Sequence, residues 1–159
     1  MRQFARSPLA VLGLVLIILI VLTAVFAPYL SPQNPYDLMQ LDIMDGRMAP
    51  GAESSAGFTF LLGSDDQGRD ILSAILYGLR ISLIVGLGSA ALAFIIGTAF
   101  GLAAAYIGGR LETAMMRLVD LQLSFPTILS ALLILALLGK SVGNVVFAIV
   151  LVEWATYAR

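Results

Sequence analysis

The chain has no cysteine and no histidine among its 159 residues, and Lys, Arg, Asp and Glu together make up only 12% of it. Lack of cysteine excludes disulfides, thiolate nucleophiles and thiolate metal sites. Lack of histidine removes the usual zinc ligand sets and imidazole acid–base chemistry. No G-x-x-x-x-G-K-[ST], G-x-S-x-G or H-E-x-x-H pattern occurs either, so no ATP site of that kind, no metal and no bound cofactor are expected. A net charge of −1 lacks the basic excess that a nucleic-acid partner demands. Soluble domains carry about 25% charged residues. The shortage of charge here, with 60% hydrophobic residues and a mean hydropathy of +0.98, predicts an all-α integral membrane protein in a lipid bilayer.

What the chain does have is uncharged runs. Leu9–Ala27 carries 19 uncharged residues behind Arg2 and Arg6. It exceeds the 7–15 residues of a signal-peptide core and is read as a first span, 9–27, behind a tail, 1–8. Pro28, Pro32, Pro35 and Pro50 then exclude a long helix, giving an extramembrane loop, 28–63, that is acidic through Asp37, Asp42, Asp45 and Glu53. Two roles are open to this loop: a solvated connector, favoured for most of it, or a docking surface.

The most densely charged stretch follows. Ser64 and Gln67 have the spacing of a capping box, Asp65 and Asp66 sit in its first turn, and Arg69 is placed to pair with either. Ile71, Leu72, Ile75, Leu76 and Leu79 share one face, and Arg69, Asp70, Ser73, Tyr77 and Arg80 the other. The pattern predicts an amphipathic interfacial helix, 64–80, which completes an N-terminal region, 1–80. A calcium loop in Asp65–Asp70 is disfavoured, because Arg69 stands among the ligands.

The remainder, 81–159, reads as transmembrane. Ile81–Gly109 is uncharged for 29 residues, a helical length of ~43 Å against ~30 Å of hydrocarbon. Within this span, 81–107, Ser89, Ala93, Gly97, Gly101 and Ala105 recur every four residues as a small-residue stripe for close helix packing. A third span, 118–139, begins with unusual polarity: Arg117, Asp120 and Pro126 lie at its mouth. Asp120 is expected to pair with Arg117 at the interface, and Pro126 to impose a kink or a late start. A fourth span, 142–158, ends with Glu153, Trp154 and Tyr157 at an interface. Arg2 and Arg6 fall in the first eight residues and Arg110 and Arg117 in another eight, against three Arg in the 53 residues from Pro28 to Arg80. That density bias predicts a cytoplasmic N-terminus.

Taken together, these segments resemble a known family. Gly63, Asp65, Gly68, Arg69, Asp70 and Ser73, with Gly78, Arg80 and Ser82 after them, look like the start of the transmembrane domain of binding-protein-dependent ABC importers. The nearest type is the second permease of the dipeptide, oligopeptide and nickel systems. Ala105–Gly109, Met116–Asp120 with Leu123–Pro126, and Trp154 with Tyr157–Arg159 match the same pattern in order and spacing. The resemblance implies a type-1 importer permease fold in a bacterial or archaeal-type inner membrane, with about four of its helices in this chain. Its implied partners are a homologous second permease, two cytoplasmic ATPase subunits that use the ATP, and an extracytoplasmic solute-binding protein. It also places a cytoplasmic coupling loop and two further helices after Arg159, and so implies a shortened chain. A small membrane anchor, associating through the Ser89–Ala105 stripe, is the alternative reading.

Overall fold

A computed structural model describes residues 7–159; the tail expected at 1–8 therefore lies mostly outside the described residues. Among the described residues there are five α-helices, two single 3-10 turns and no strand. They fall into two units, Met1–Leu83 and Ile84–Arg159.

In the first unit, α1 runs Pro8–Leu30, with its proline at the first helical position, where no N–H is needed. Twenty-three residues reach ~34 Å, enough for a bilayer. The single polar side chain of the predicted span is satisfied internally: the Thr23 hydroxyl donates to the carbonyls of Leu19 and Ile20, each at 2.9 Å. The helix passes through Pro28 and ends only at Leu30, because proline within the last turn costs a hydrogen bond but does not forbid two more helical residues. Its apolar side chains are mostly exposed, as a lipid-facing helix requires.

The segment after α1 is a folded cap rather than a slack connector. The chain turns twice, at Leu38–Gln40 and Ile43–Asp45. It then doubles back between Gly51 and Phe60 through paired backbone bonds of 2.8 and 2.9 Å. Phe60 is fully buried and meets Phe58 edge-on at 5.0 Å. The helix expected at 64–80 starts later: α2 spans Ile71–Ile107. Ser64 does not cap it. Its hydroxyl instead accepts from Met48 N at 2.8 Å and donates to the Asp45 carbonyl. The local capping pattern is overridden by partners 16 and 19 residues away. The amphipathic stretch is thus the opening of the same helix that carries the predicted second span, not a separate interfacial element.

In the second unit, α2 continues to Ile107, followed by α3 (Gly109–Ser124), α4 (Thr127–Leu138) and α5 (Val142–Ala158). The span expected at 118–139 is broken. Phe125 and Pro126 are extended, and α3 and α4 meet at 85°, because Pro126 lacks the N–H that would continue α3 and excludes helical geometry from the residue before it. Two helices, α1 and α2, are long and apolar enough to cross a membrane, or three if the bent pair counts as one. The helix expected at 142–158 is α5, at those bounds, but its 17 residues extend only ~26 Å. The core of this unit is Val119, Ala155 and Ala158, with Phe100, Leu123 and Trp154 around them.

Candidate functional site

Three polar or close-packed features carry the residues singled out in the sequence. The first is the cap built around Asp70, whose residue is 1% exposed. Its Oδ2 accepts from Ser73 N at 2.7 Å and from the Ser73 hydroxyl at 2.5 Å, so Asp70 is the residue that caps α2; such a cap contributes about 1 kcal/mol. Asp70 N donates to Gln33 Oε1 at 2.7 Å, and Gln33 Nε2 donates to the carbonyls of Gln40 and Gly68 at 2.9 and 3.3 Å. One glutamine thereby ties both sides of the loop to the helix start. Nothing in the sequence distinguishes Gln33 from a surface amide.

The glycines of this motif are conformational requirements. Gly68 has φ +74, and a Cβ there would overlap the Asp42 carbonyl; Gly63 has φ +87, with the Met48 carbonyl 2.7 Å from where its Cβ would stand. Asp65 shapes the turn between them by accepting from Gln67 N at 2.8 Å and Arg69 N at 3.0 Å. Arg69 does not form the expected ion pair. Asp66 instead binds Arg47 at 2.6 Å on the exposed surface, and Arg69 Nε is buried without a partner among the described residues. Gly78 lies in α2 with open space around it, and Arg80 and Ser82 are exposed.

Asp45 is the best-satisfied carboxylate of the cap. Burial alone would push its pKa up. Hydrogen bonds from the Ser54 hydroxyl (2.7 Å), Ser55 N (3.0 Å) and the Ser55 hydroxyl (2.9 Å) outweigh that and hold it below the ordinary 3.8.

The second feature is the small-residue seam. Ser89, Ala93 and Gly97 are buried, and the Ser89 hydroxyl bonds back to the Val85 carbonyl. A Cβ on Gly97 would overlap the Trp154 carbonyl, and one on Gly101 would overlap that of Ala158. The seam then passes to Ala104, fully buried, and leaves Ala105 exposed. Strict steps of four residues drift ~40° each around a 3.6-residue helix, so a step of three restores the face.

The third feature is the exposed polar side of α3. Glu112, Met116, Arg117, Asp120 and Ser124 border an open groove of about 730 Å³. Asp120 pairs at 4.0 Å with Arg159 rather than with Arg117, and both partners are largely exposed, which makes this a weak contact. Pro126 caps α4 at the elbow, and Glu153 is half-buried beside Thr127 and Ile128 in a smaller hollow of about 190 Å³. No group of acids suited to a metal is present among the described residues. These features pack helices against one another, cap α2 and line the exposed side of α3.

Comparison with known proteins gives these features a context. The family model described as the N-terminal TM domain of oligopeptide transport permease C matches residues 1–50. The dipeptide transport system permease protein DppC of Escherichia coli K12 is 40% identical over 159 residues, covering 99% of this chain and 52% of its own length. The di/tripeptide transport system permease protein DppC of Pseudomonas aeruginosa is 37% identical, covering 99% of this chain and 51% of its own length. The oligopeptide transport system permease protein OppC of Bacillus subtilis is 32% identical, covering all of this chain and 49% of its own length. The chain thus spans about half the length of the curated relatives it matches.

Proposed function

We infer that this chain, a relative of the dipeptide- and oligopeptide-type permeases of ABC importers, belongs to a permease subunit that forms part of the translocation path for peptides. The observation that carries the reading is sequence similarity sustained over the whole chain, cap and seam included, to proteins named for peptide transport. The long apolar helices α1 and α2 supply the membrane embedding such a subunit needs. In this reading the chain itself is not an enzyme. ATP is hydrolysed by separate cytoplasmic subunits, a second permease completes the path, and an extracytoplasmic binding protein delivers the cargo. The first loop faces outward and the N-terminus lies in the cytoplasm of a cell with an inner membrane of the bacterial type.

The anchor reading loses its main support, because Gly97 and Gly101 are already occupied by the main chain of α5. The deciding experiment is a chimera in which residues 1–159 replace the matching half of the Escherichia coli dipeptide permease, in a strain lacking the native one. Dipeptide uptake above the deletion background is expected. A chimera that inserts and assembles with its partners yet transports nothing would defeat the peptide-permease reading.

A further inference from the structure

Asp45–Gly46 is the one Asp–Gly or Asn–Gly step in the chain. An aspartyl side chain followed by glycine is open to attack by the next backbone nitrogen, because glycine has no side chain to hinder the approach. The Gly46 nitrogen bonds to Asp45 Cγ as a Cγ–O bond breaks, and water leaves with the amide proton. The product is a five-membered succinimide. Water then adds to the Asp45 main-chain carbonyl carbon and breaks its bond to nitrogen. The chain afterwards runs through Cβ and Cγ, one atom longer, and the former carbonyl carbon carries a free carboxylate. Mass is unchanged, and no oxidant or co-reactant other than water is needed.

The folded cap blocks each requirement of this reaction. The nucleophile is engaged, because Gly46 N donates to the Ile43 carbonyl at 3.1 Å. The carboxylate is engaged as well: Oδ2 accepts from the Ser54 and Ser55 hydroxyls at 2.7 and 2.9 Å, and Oδ1 from Ser55 N at 3.0 Å. Asp45 is only 6% exposed, which slows both departure and return of water. The product, in turn, does not fit the folded cap. The Asp45 carbonyl that receives the Ser64 hydroxyl would be lost from the main chain. At Gly46 the carbonyls of Ile43 and Asp66 stand 3.0 and 3.3 Å from where a Cβ would lie, leaving no room for a longer backbone. We propose that Asp45–Gly46 is a self-modification site, which forms isoaspartate when the cap opens and then prevents it from closing. Ser54 and Ser55 are its guard, and the modification is a one-way record of cap opening.

The test ages the full chain in nanodiscs at neutral pH. Isoaspartate is measured by methyl transfer from an isoaspartyl methyltransferase and assigned to position 45 by electron-transfer fragmentation. The same chain held in denaturant sets the unguarded rate. The folded parent is expected to react at least about a hundredfold more slowly, since only the opened fraction is competent. Ser54→Ala with Ser55→Ala removes both hydroxyl donors. It should raise the folded rate roughly tenfold, the scale of hydrogen bonds to a charged group, and leave the denatured rate unchanged. Asp45→Glu should abolish the signal, because the larger ring closes far more slowly. Protease added after ageing should digest the caps of isoaspartyl chains first. Equal folded and denatured rates overturn the guarded site, as does a denatured chain that forms no isoaspartate at position 45. A double-serine variant that ages like the parent overturns the role of the two serines. Isomerised chains as protease-resistant as unmodified ones overturn the one-way consequence.

Discussion

The carbonyl oxygen of Trp154 occupies the space a side chain on Gly97 would need, and the Cβ of Tyr157 lies 2.7 Å from the same point. The two helices touch through backbone there, so no rotamer of a larger residue relieves the clash. Gly97→Leu is expected to separate α2 from α5 at a cost of ~1–3 kcal/mol or more. The readout is recovery of the assembled complex in detergent, with Leu102→Ala as the control because Leu102 is 66% exposed. Equal recovery of Gly97→Leu and parent would show that the seam tolerates separation.

Gly68 and Gly57 separate two costs that are usually confounded. Both have positive φ, +74 and +84, but only Gly68 has a carbonyl where its Cβ would go. Gly57→Ala is expected to show backbone strain alone, about 1 kcal/mol, and Gly68→Ala strain plus displacement of the Asp42 carbonyl, about 2–3 kcal/mol. Limited proteolysis of the cap reports the difference. Equal susceptibility of the two variants would mean that the cap yields freely at Asp42.

Asp45 makes the cap acid-sensitive. Its folded pKa lies below the ordinary 3.8, so the unfolded cap binds the proton more readily. The stability this supplies is complete above the unfolded value and is lost as pH falls through the folded one. Protease nicking of the cap should therefore rise below about pH 4 in the parent. Asp45→Asn should be nicked faster at neutral pH and show a flatter acid response. An acid profile identical in the two proteins would place the sensitivity elsewhere.

Topology is open to the same cysteine-free background. A single cysteine at position 53 is expected to react with an impermeant thiol reagent in intact cells, and one at position 112 only after permeabilisation. Reaction at position 112 in intact cells would reverse the assignment of sides.

Much of the helical frame was legible because it is written locally. The uncharged run after Pro8 and the bounds 142–158 are visible in composition, and Pro126 announces its own bend. What failed to show is what depends on distant partners. Ser64, three residues before Gln67, has the local form of a helix cap, yet Met48 and Asp45 claim its hydroxyl. Arg69 stands in register with two aspartates, but Asp65 spends its carboxylate on backbone N–H groups and Asp66 finds Arg47. Gln33 and Phe60 hold the cap together over long separations and carry no periodic signal. Only a fixed spacing of four puts Ala105 on the seam, and the 3.6-residue turn does not sustain that spacing.

The elbow at Pro126 bears on how such a chain enters a membrane. The twelve residues of α4, apolar but for Thr127 and Ser130, are too few to be recognised as a crossing segment by length, and the turn that follows is closed by Asn144, whose side chain donates to the Leu138 and Gly139 carbonyls at 2.7 and 2.9 Å. By length, α4 is therefore expected to enter lipid only together with α5, as one hairpin. Residues 127–158 are then expected to insert as one unit, and a helix-breaking change in either arm to keep the other out of lipid.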